Sequence, residues 1–204
     1  MLKRNLLSLI ATAALITSTS ALALEPSPWA TEAPSNPKAH TPQGLYINSV
    51  NTYKWMQESD DVILVDVRTP AEWQFVGYTP MAQIMIPSVF FKYNAFDEER
   101  GRYASYKNSE FILEFEERIA DMNITSDTVF VLMCRSGSSR AQPAAQMLAQ
   151  YGYDNVYIMT DGFEGGTVKE GEHKQFRLSS GWKVLNPTET WKYKIEGTDP
   201  YLEK

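Results

Sequence analysis

Val129-Phe130-Val131-Leu132-Met133-Cys134-Arg135-Ser136-Gly137-Ser138-Ser139-Arg140 decides how this chain is read. A short apolar run stops at Cys134, the single cysteine of the sequence, and reads as a strand buried on both faces. A small polar loop with two arginines follows. Apolar residues then recur at helical spacing through Ala141, Ala144, Ala145, Leu148 and Tyr151. Pro143 sets where that helix begins, because proline lacks an N–H and fits without loss only in the first turn. With Arg140 as N-cap, Pro143 is the third helical residue, whereas an earlier start would place it in the interior at a cost of about 3 kcal/mol. The order is strand, loop, helix, with a thiol at the strand's end, where ligands sit in open α/β sheets.

That position favours a reactive sulfur. A loop folded back at a helix N-terminus turns backbone N–H groups inward and adds the positive end of the helix dipole. With Arg135 and Arg140 close by, such a loop favours a thiolate over a thiol and binds an oxyanion beside it. Gly137 permits the tight turn this requires. The other reading of Cys134 is a small buried hydrophobe. A single cysteine makes no internal disulfide.

Other pieces lie in order around the loop. Upstream stands Val62-Ile63-Leu64-Val65-Asp66-Val67-Arg68-Thr69-Pro70-Ala71-Glu72-Trp73, followed by Ile86-Pro87; downstream come Tyr151-Gly152-Tyr153, Asn155-Val156-Tyr157-Ile158 and Asp161-Gly162-Phe163-Glu164-Gly165. Together these resemble the rhodanese-like (sulfurtransferase) domain family, in its single-domain exported type, over roughly residues 42–184. The resemblance implies a three-layer α/β fold with a central parallel sheet of about five strands and helices on both faces. It also implies that Cys134 is the nucleophile and that Arg135, Ser136, Gly137, Ser138, Ser139 and Arg140 bind the substrate. No metal or organic cofactor is called for. The expected activity moves a sulfane sulfur from a small anionic donor, such as thiosulfate, through a Cys134 persulfide. The acceptor is cyanide, a thiol or a redox protein of the periplasm. An arginine directly after the cysteine resembles the thiosulfate-using members. Two positions depart from the family's pattern: Tyr78 stands in place of a histidine and Met81 in place of a glycine.

The loop departs too. The common single-domain loop carries its arginine five residues after the cysteine. Here Ser139 occupies that place and Arg140 comes sixth, giving Cys-x5-Arg. This spacing resembles the rhodanese-fold phosphatases of the cell-division-cycle type and related arsenate reductases, where a wider loop holds a tetrahedral oxyanion. Against that alternative, Met133 stands where those enzymes carry a histidine, and no acidic residue in the loop offers a proton to a leaving group. A third reading is a non-catalytic persulfide carrier or binding module.

From its start, the chain divides into an expected signal peptide at residues 1–23, an extension at 24–42, the domain at 43–185 and a tail at 186–204. Lys3 and Arg4, the apolar stretch Leu6 to Thr17 and Ala21-Leu22-Ala23 make the leader pattern of a protein exported to a bacterial periplasm. The apolar stretch is short for a membrane span. The formal charge of −6 offers no basic footprint for nucleic acid. His40 and His173 lie far apart in the sequence, and no zinc-ligand spacing is visible around them.

Within the domain, Gly44 to Ile47 reads as a first strand, with Ser49 as N-cap of a helix carrying Val50, Tyr53 and Trp55-Met56. Val62 to Val65 is a buried parallel strand and Ile84 to Pro87 another central one. Asp66 and Arg68 leave the first of these beside Cys134. Two readings stand: one of them rims the site, or they fix the turn as an ion pair or cap, with Glu72 the natural partner for Arg68. Ser88 to Asn108 is rich in aromatic residues, expected to pack on the core, the alternative being a rim for partner or substrate. Ser109 is expected to cap a helix with Phe111, Phe115, Ile119 and Met122 on one face and solvated Glu114, Glu116 and Glu117 opposite. Thr167 to Ser180 reads as an inserted loop or hairpin, and the tail carries Trp191 and Tyr193.

Overall fold

A computed structural model describes residues 26–197 and 201; the leader expected at residues 1–23 lies outside them. The apolar runs form a five-stranded parallel sheet. Its strands are β1 (Leu45–Ile47), β2 (Val62–Asp66), β3 (Ile84–Met85), and, beyond a hairpin described below, β6 (Val129–Met133) and β7 (Val156–Met159). Their spatial order is β1-β7-β6-β2-β3, so β6, which ends one residue before Cys134, lies at the centre. Register is set by apolar pairs, Ile63 with Phe130, Leu64 with Val131 and Val65 with Leu132.

Because side chains alternate along a strand, the central strands feed two cores. On one face Ile63, Val65, Phe130, Leu132 and Ile158 pack against α3 (Phe111–Ile119) and α4 (Ala141–Gln150). On the other, Val62, Leu64, Val131, Met133 and Tyr157 pack against α1 (Ser49–Glu58), α5 (Trp182–Leu185) and Val76 at the end of α2 (Pro70–Val76). This is the three-layer α/β arrangement expected. The helix after the active loop begins at Ala141 with Arg140 as N-cap, which places Pro143 in its first turn as expected.

Several local expectations are corrected. The N-cap of α1 is Asn48, whose side chain accepts from Asn51 N at 2.8 Å. Ser49 instead gives its hydroxyl and its N–H to the Asp161 carboxylate, at 2.6 and 2.8 Å. Ser109 does not cap α3; Asn108 Oδ1 accepts from Glu110 N at 3.0 Å, and Asn108 Nδ2 reaches Glu114. The strand at Ile84 is two residues long and at the sheet edge rather than central, where Pro87, which has no N–H to give a further strand, is tolerated.

Beyond Ser88, whose N–H still donates to Val67 O at 3.2 Å, the chain leaves the sheet. Strands β4 (Val89–Asp97) and β5 (Arg102–Lys107) pair only with each other, as an antiparallel hairpin with a bulge between Lys92 and Phe96. Its aromatic residues do not pack on the core as expected: Tyr93 is 69% exposed, Phe96 57% and Tyr103 48%. With no third strand above them, these rings pack on one another, Tyr103 lying edge-on to both Tyr93 and Phe96 at 5.5 Å.

Both flanking segments dock on the domain. Ser27 N donates to the Tyr157 hydroxyl at 2.9 Å and Thr31 N to Tyr46 O at 2.7 Å, with Trp29 packed against the second core. After α5, the chain returns across the same face. Trp182 is fully buried and its indole N–H donates to Thr190 Oγ1 at 3.1 Å. Lys192 bridges the backbone of Tyr78, and Trp191 meets the Phe163 ring.

Candidate active site

The carboxyl ends of β6, β2 and β7 converge on the loop 134–140. Val67 N donates to Met133 O at 2.9 Å, drawing the chain after β2 against the end of β6. From the other side the turn after β7 closes on the loop: Phe163 N donates to Cys134 O at 2.8 Å, and Glu164 N to Arg135 O at 3.0 Å. Two glycines make this approach feasible. A Cβ on Gly137, whose φ is +83°, would lie 1.9 Å from Thr160 O, and one on Gly162, at φ +62°, would lie 2.5 Å from Cys134 O. Any side chain at either position would force the two segments apart.

Cys134 is 1% exposed and packs in the same core cluster as Ala141 and Leu132. The backbone above it is organised differently from the rest of the interior. Among the described residues, none of the N–H groups of residues 135–140 donates to a protein acceptor. A run of uncommitted donors at the start of α4 is the arrangement an anion-binding loop requires.

The two arginines of the loop have different partners. Arg140 turns inward and makes a two-point ion pair with Glu72 of α2, Nη2 to Oε1 at 2.8 Å and Nη1 to Oε2. Burial pushes the Glu72 carboxyl up, but the hydrogen bonds and charge of Arg140, with help from Arg68 and the Thr69 N–H, outweigh it and hold the group below its ordinary value. Burial likewise opposes the charge on Arg140, which the Glu72 hydrogen bond, the Glu72 charge and then the Cys134 sulfur restore and strengthen. Arg135 stays half in solvent and pairs with Glu164, Nε to Oε2 at 2.6 Å.

Glu72 therefore serves Arg140, not Arg68 as the sequence led us to expect. The partner of Arg68 is Asp66, at 2.6 Å, with both side chains fully buried. The guanidinium also donates to Gly77 O at 3.0 Å and lies 3.9 Å above the Phe163 ring. Neither residue rims the site. The pair instead ties the end of β2 to the end of α2 and to the turn that covers Cys134 O. Glu72 has a second duty, closing a capping box with Thr69 at the start of α2.

Over the loop lies a cleft of about 500 Å³. Arg135, Ser136, Ser139 and Arg140 form one side, and the hairpin, through Phe91, Tyr93, Phe96 and Tyr103, forms the other. Ser138 is half-buried and its carbonyl accepts from Gln142 N at 2.9 Å, serving the first turn of α4. Arg177, which the sequence did not single out, also lines the cleft and donates to Gly165 O. It arrives from the polar excursion 167–180, where Val168 and residues 175–176 pair their backbones. No local pattern marks it. Glu164 was within a quoted motif but carried no sign of its partner.

The comparisons with known proteins bear on the family and the fold. The rhodanese-like domain family matches residues 49–168. The uncharacterized protein RP600 of Rickettsia prowazekii (strain Madrid E) is 31% identical over 126 residues, 61% of this chain and 88% of that protein. The uncharacterized protein RC0915 of Rickettsia conorii (strain ATCC VR-613 / Malish 7) is 31% identical over 128 residues, with the same coverage. Among solved structures, Rv0390 from M. tuberculosis superposes with a TM-score of 0.52 at 24% identity, covering 72% of this chain and 96% of that one, a likeness of fold.

Proposed function

This chain belongs to the rhodanese-like domain family, and on that footing we propose that it is a sulfurtransferase with Cys134 as nucleophile. The observation that carries the reading is the set of uncommitted N–H groups at residues 135–140, at the end of the strand that delivers the thiol. In the first step the Cys134 thiolate attacks the outer sulfur of thiosulfate. The sulfur–sulfur bond of the donor breaks, its electron pair leaves with sulfite, and the protein keeps a persulfide anion. In the second step an acceptor such as cyanide attacks the outer sulfur, leaving as thiocyanate and restoring the thiolate. Charge balances at both steps and no proton is consumed. Ping-pong kinetics follow from the covalent intermediate. The loop N–H groups hold the negative sulfur, and burial of Cys134 keeps bulk water from the persulfide.

Arg140 has a different role from the one its spacing implied. Because its guanidinium is bound at two points by Glu72, it holds the loop to α2 and contributes charge to Cys134 through space. Direct contact with an anionic donor falls to the loop backbone and to Arg135. The Cys-x5-Arg spacing supports phosphate or arsenate chemistry as the second reading, but its arginine is neutralised by Glu72. The leader pattern at residues 1–23 supports a periplasmic location for this reaction, with a thiol or redox protein there as acceptor.

The test is thiosulfate-to-cyanide transfer by wild type and by Cys134→Ser. A loss of at least about a thousandfold in the variant, with an unchanged thermal midpoint, is expected for removal of a nucleophile. Persulfide loading of Cys134, read by intact mass after thiosulfate, accompanies it. Equal turnover in Cys134→Ser would sink the proposal, and turnover of a phosphate ester without persulfide loading would favour the second reading.

A further inference from the structure

The cleft over the loop is larger and of different chemistry than a small inorganic anion needs. A volume of about 500 Å³ falls within the range of roughly 300–1,000 Å³ typical of sites for organic molecules. One wall is the exposed ring cluster of Tyr93, Phe96 and Tyr103. Exposed aromatic rings joined to one another and facing a cleft are costly to leave in water, and they favour a ligand with a flat or apolar body.

The charge of the cleft is also unbalanced. Arg102, Arg135, Arg140 and Arg177 line it. Among the described residues, Arg140 is paired with Glu72 and Arg135 with Glu164, while Arg177 has no carboxylate partner. Its one hydrogen bond to protein goes to the carbonyl of Gly165. Partial burial and then the neighbouring charge of Arg135 both work against the Arg177 cation, with Glu164 only partly offsetting them. An anion placed beside Arg177 supplies the counter-charge it lacks and offsets the repulsion from Arg135. Arg177 and the hairpin tip therefore present a charged head group site and an apolar body site on one cleft. Arg177 also lies outside the residues matched by the family, 49–168.

We propose that the cleft binds an organic anion, a molecule with one carboxylate or sulfonate held by Arg177 beside Arg135 and an aromatic or apolar body lying on Tyr93, Phe96 and Tyr103. As a substrate of the Cys134 reaction, this ligand rests on the sulfur-transfer reading; its binding does not.

The experiment uses Cys134→Ser protein, which cannot turn over, and titrates 2-naphthalenesulfonate, methanesulfonate and sulfate by calorimetry. The aryl sulfonate is expected to bind at least tenfold more tightly than methanesulfonate or sulfate. Arg177→Gln should weaken it at least fivefold and Arg177→Lys less, and a combined Phe96→Ala, Tyr103→Ala variant should erase the advantage of the aryl group while leaving methanesulfonate unchanged. Thermal melts of each variant confirm folding. Equal affinity for the aryl and methyl sulfonates, or an Arg177→Gln protein that binds like the parent, would overturn the inference. Aryl sulfonate binding in a protein that transfers no sulfur would remove the sulfurtransferase reading and leave this one standing. Thiosulfate turnover without aryl sulfonate binding would do the reverse.

Discussion

The active loop and the β4–β5 hairpin face each other across one cleft and are held by opposite physics. The loop 134–140 is fixed from every side: by the turn after β7 through hydrogen bonds to Cys134 O and Arg135 O, by the buried Glu72–Arg140 pair, and by two glycines where no side chain fits. The hairpin has two strands, a bulge, and exposed rings that touch mainly one another. The strand end that carries the thiol is thus held on both flanks by backbone packing. The opposite wall rests on no third strand and leaves its rings exposed. A reacting atom needs the first kind of support and a wall that receives varied ligand shapes tolerates the second.

Mutations on the loop side should cost most. Arg68→Met leaves the Asp66 carboxylate fully buried without its cation, and a loss of about 3–5 kcal/mol is expected, read as a lower midpoint in urea. A loss below about 1 kcal/mol would mean that Asp66 finds another partner and that the turn is not organised by this pair.

Glu72→Gln comes next. It removes the counter-charge of Arg140 from a site that is nearly, but not fully, enclosed, so about 2–3 kcal/mol is expected, together with reduced sulfur transfer as the loop loosens. The same variant tests the acid limb. Because the folded-state value of Glu72 lies below its ordinary 4.5, its contribution is fully present above the ordinary carboxylate range and fades as pH falls through the folded value. Wild type should therefore lose stability more steeply than Glu72→Gln below pH 4.5. Parallel curves would assign the acid sensitivity to other groups.

The smallest effect belongs to the hairpin. Phe96→Ala, at a ring 57% exposed, should change stability by less than about 0.5 kcal/mol. A loss of about 2 kcal/mol or more would show that the rings support the domain, and the contrast between the two sides of the cleft would disappear.

The framework was legible because its signals are local. Val129 to Met133 is short, apolar and rich in β-branched residues, the pattern of a buried strand, and Pro143 keeps the start of α4 within one turn of itself. Ser49 and Ser109 misled for an equally local reason, since each is a good cap residue: Asn48 caps α1 and Ser49 was drawn to Asp161 from a segment far along the chain, while α3 begins after Glu110, whose N–H is taken by Asn108. Arg68 and Glu72 lie one helical turn apart in sequence, which favours pairing them on paper. In the folded chain Asp66 is closer to the Arg68 fork, and Glu72 faces α4 across the mouth of the sheet.

What the sequence determined by itself was the strand–loop–helix unit, the family likeness it carries, and the placement of Cys134 at the end of a buried strand. Hydrophobic period, proline and glycine act within a few residues, and a reader sees them without coordinates. Only the tertiary structure decided which carboxylate each arginine meets, that the rings of β4 and β5 face a cleft instead of the core, and that Arg177 joins the loop from the excursion 167–180. Those outcomes depend on which surfaces remain after the sheet and its two helical layers have packed. No short stretch of sequence carries that information, because partner choice among charged and aromatic side chains is settled by proximity across the folded chain.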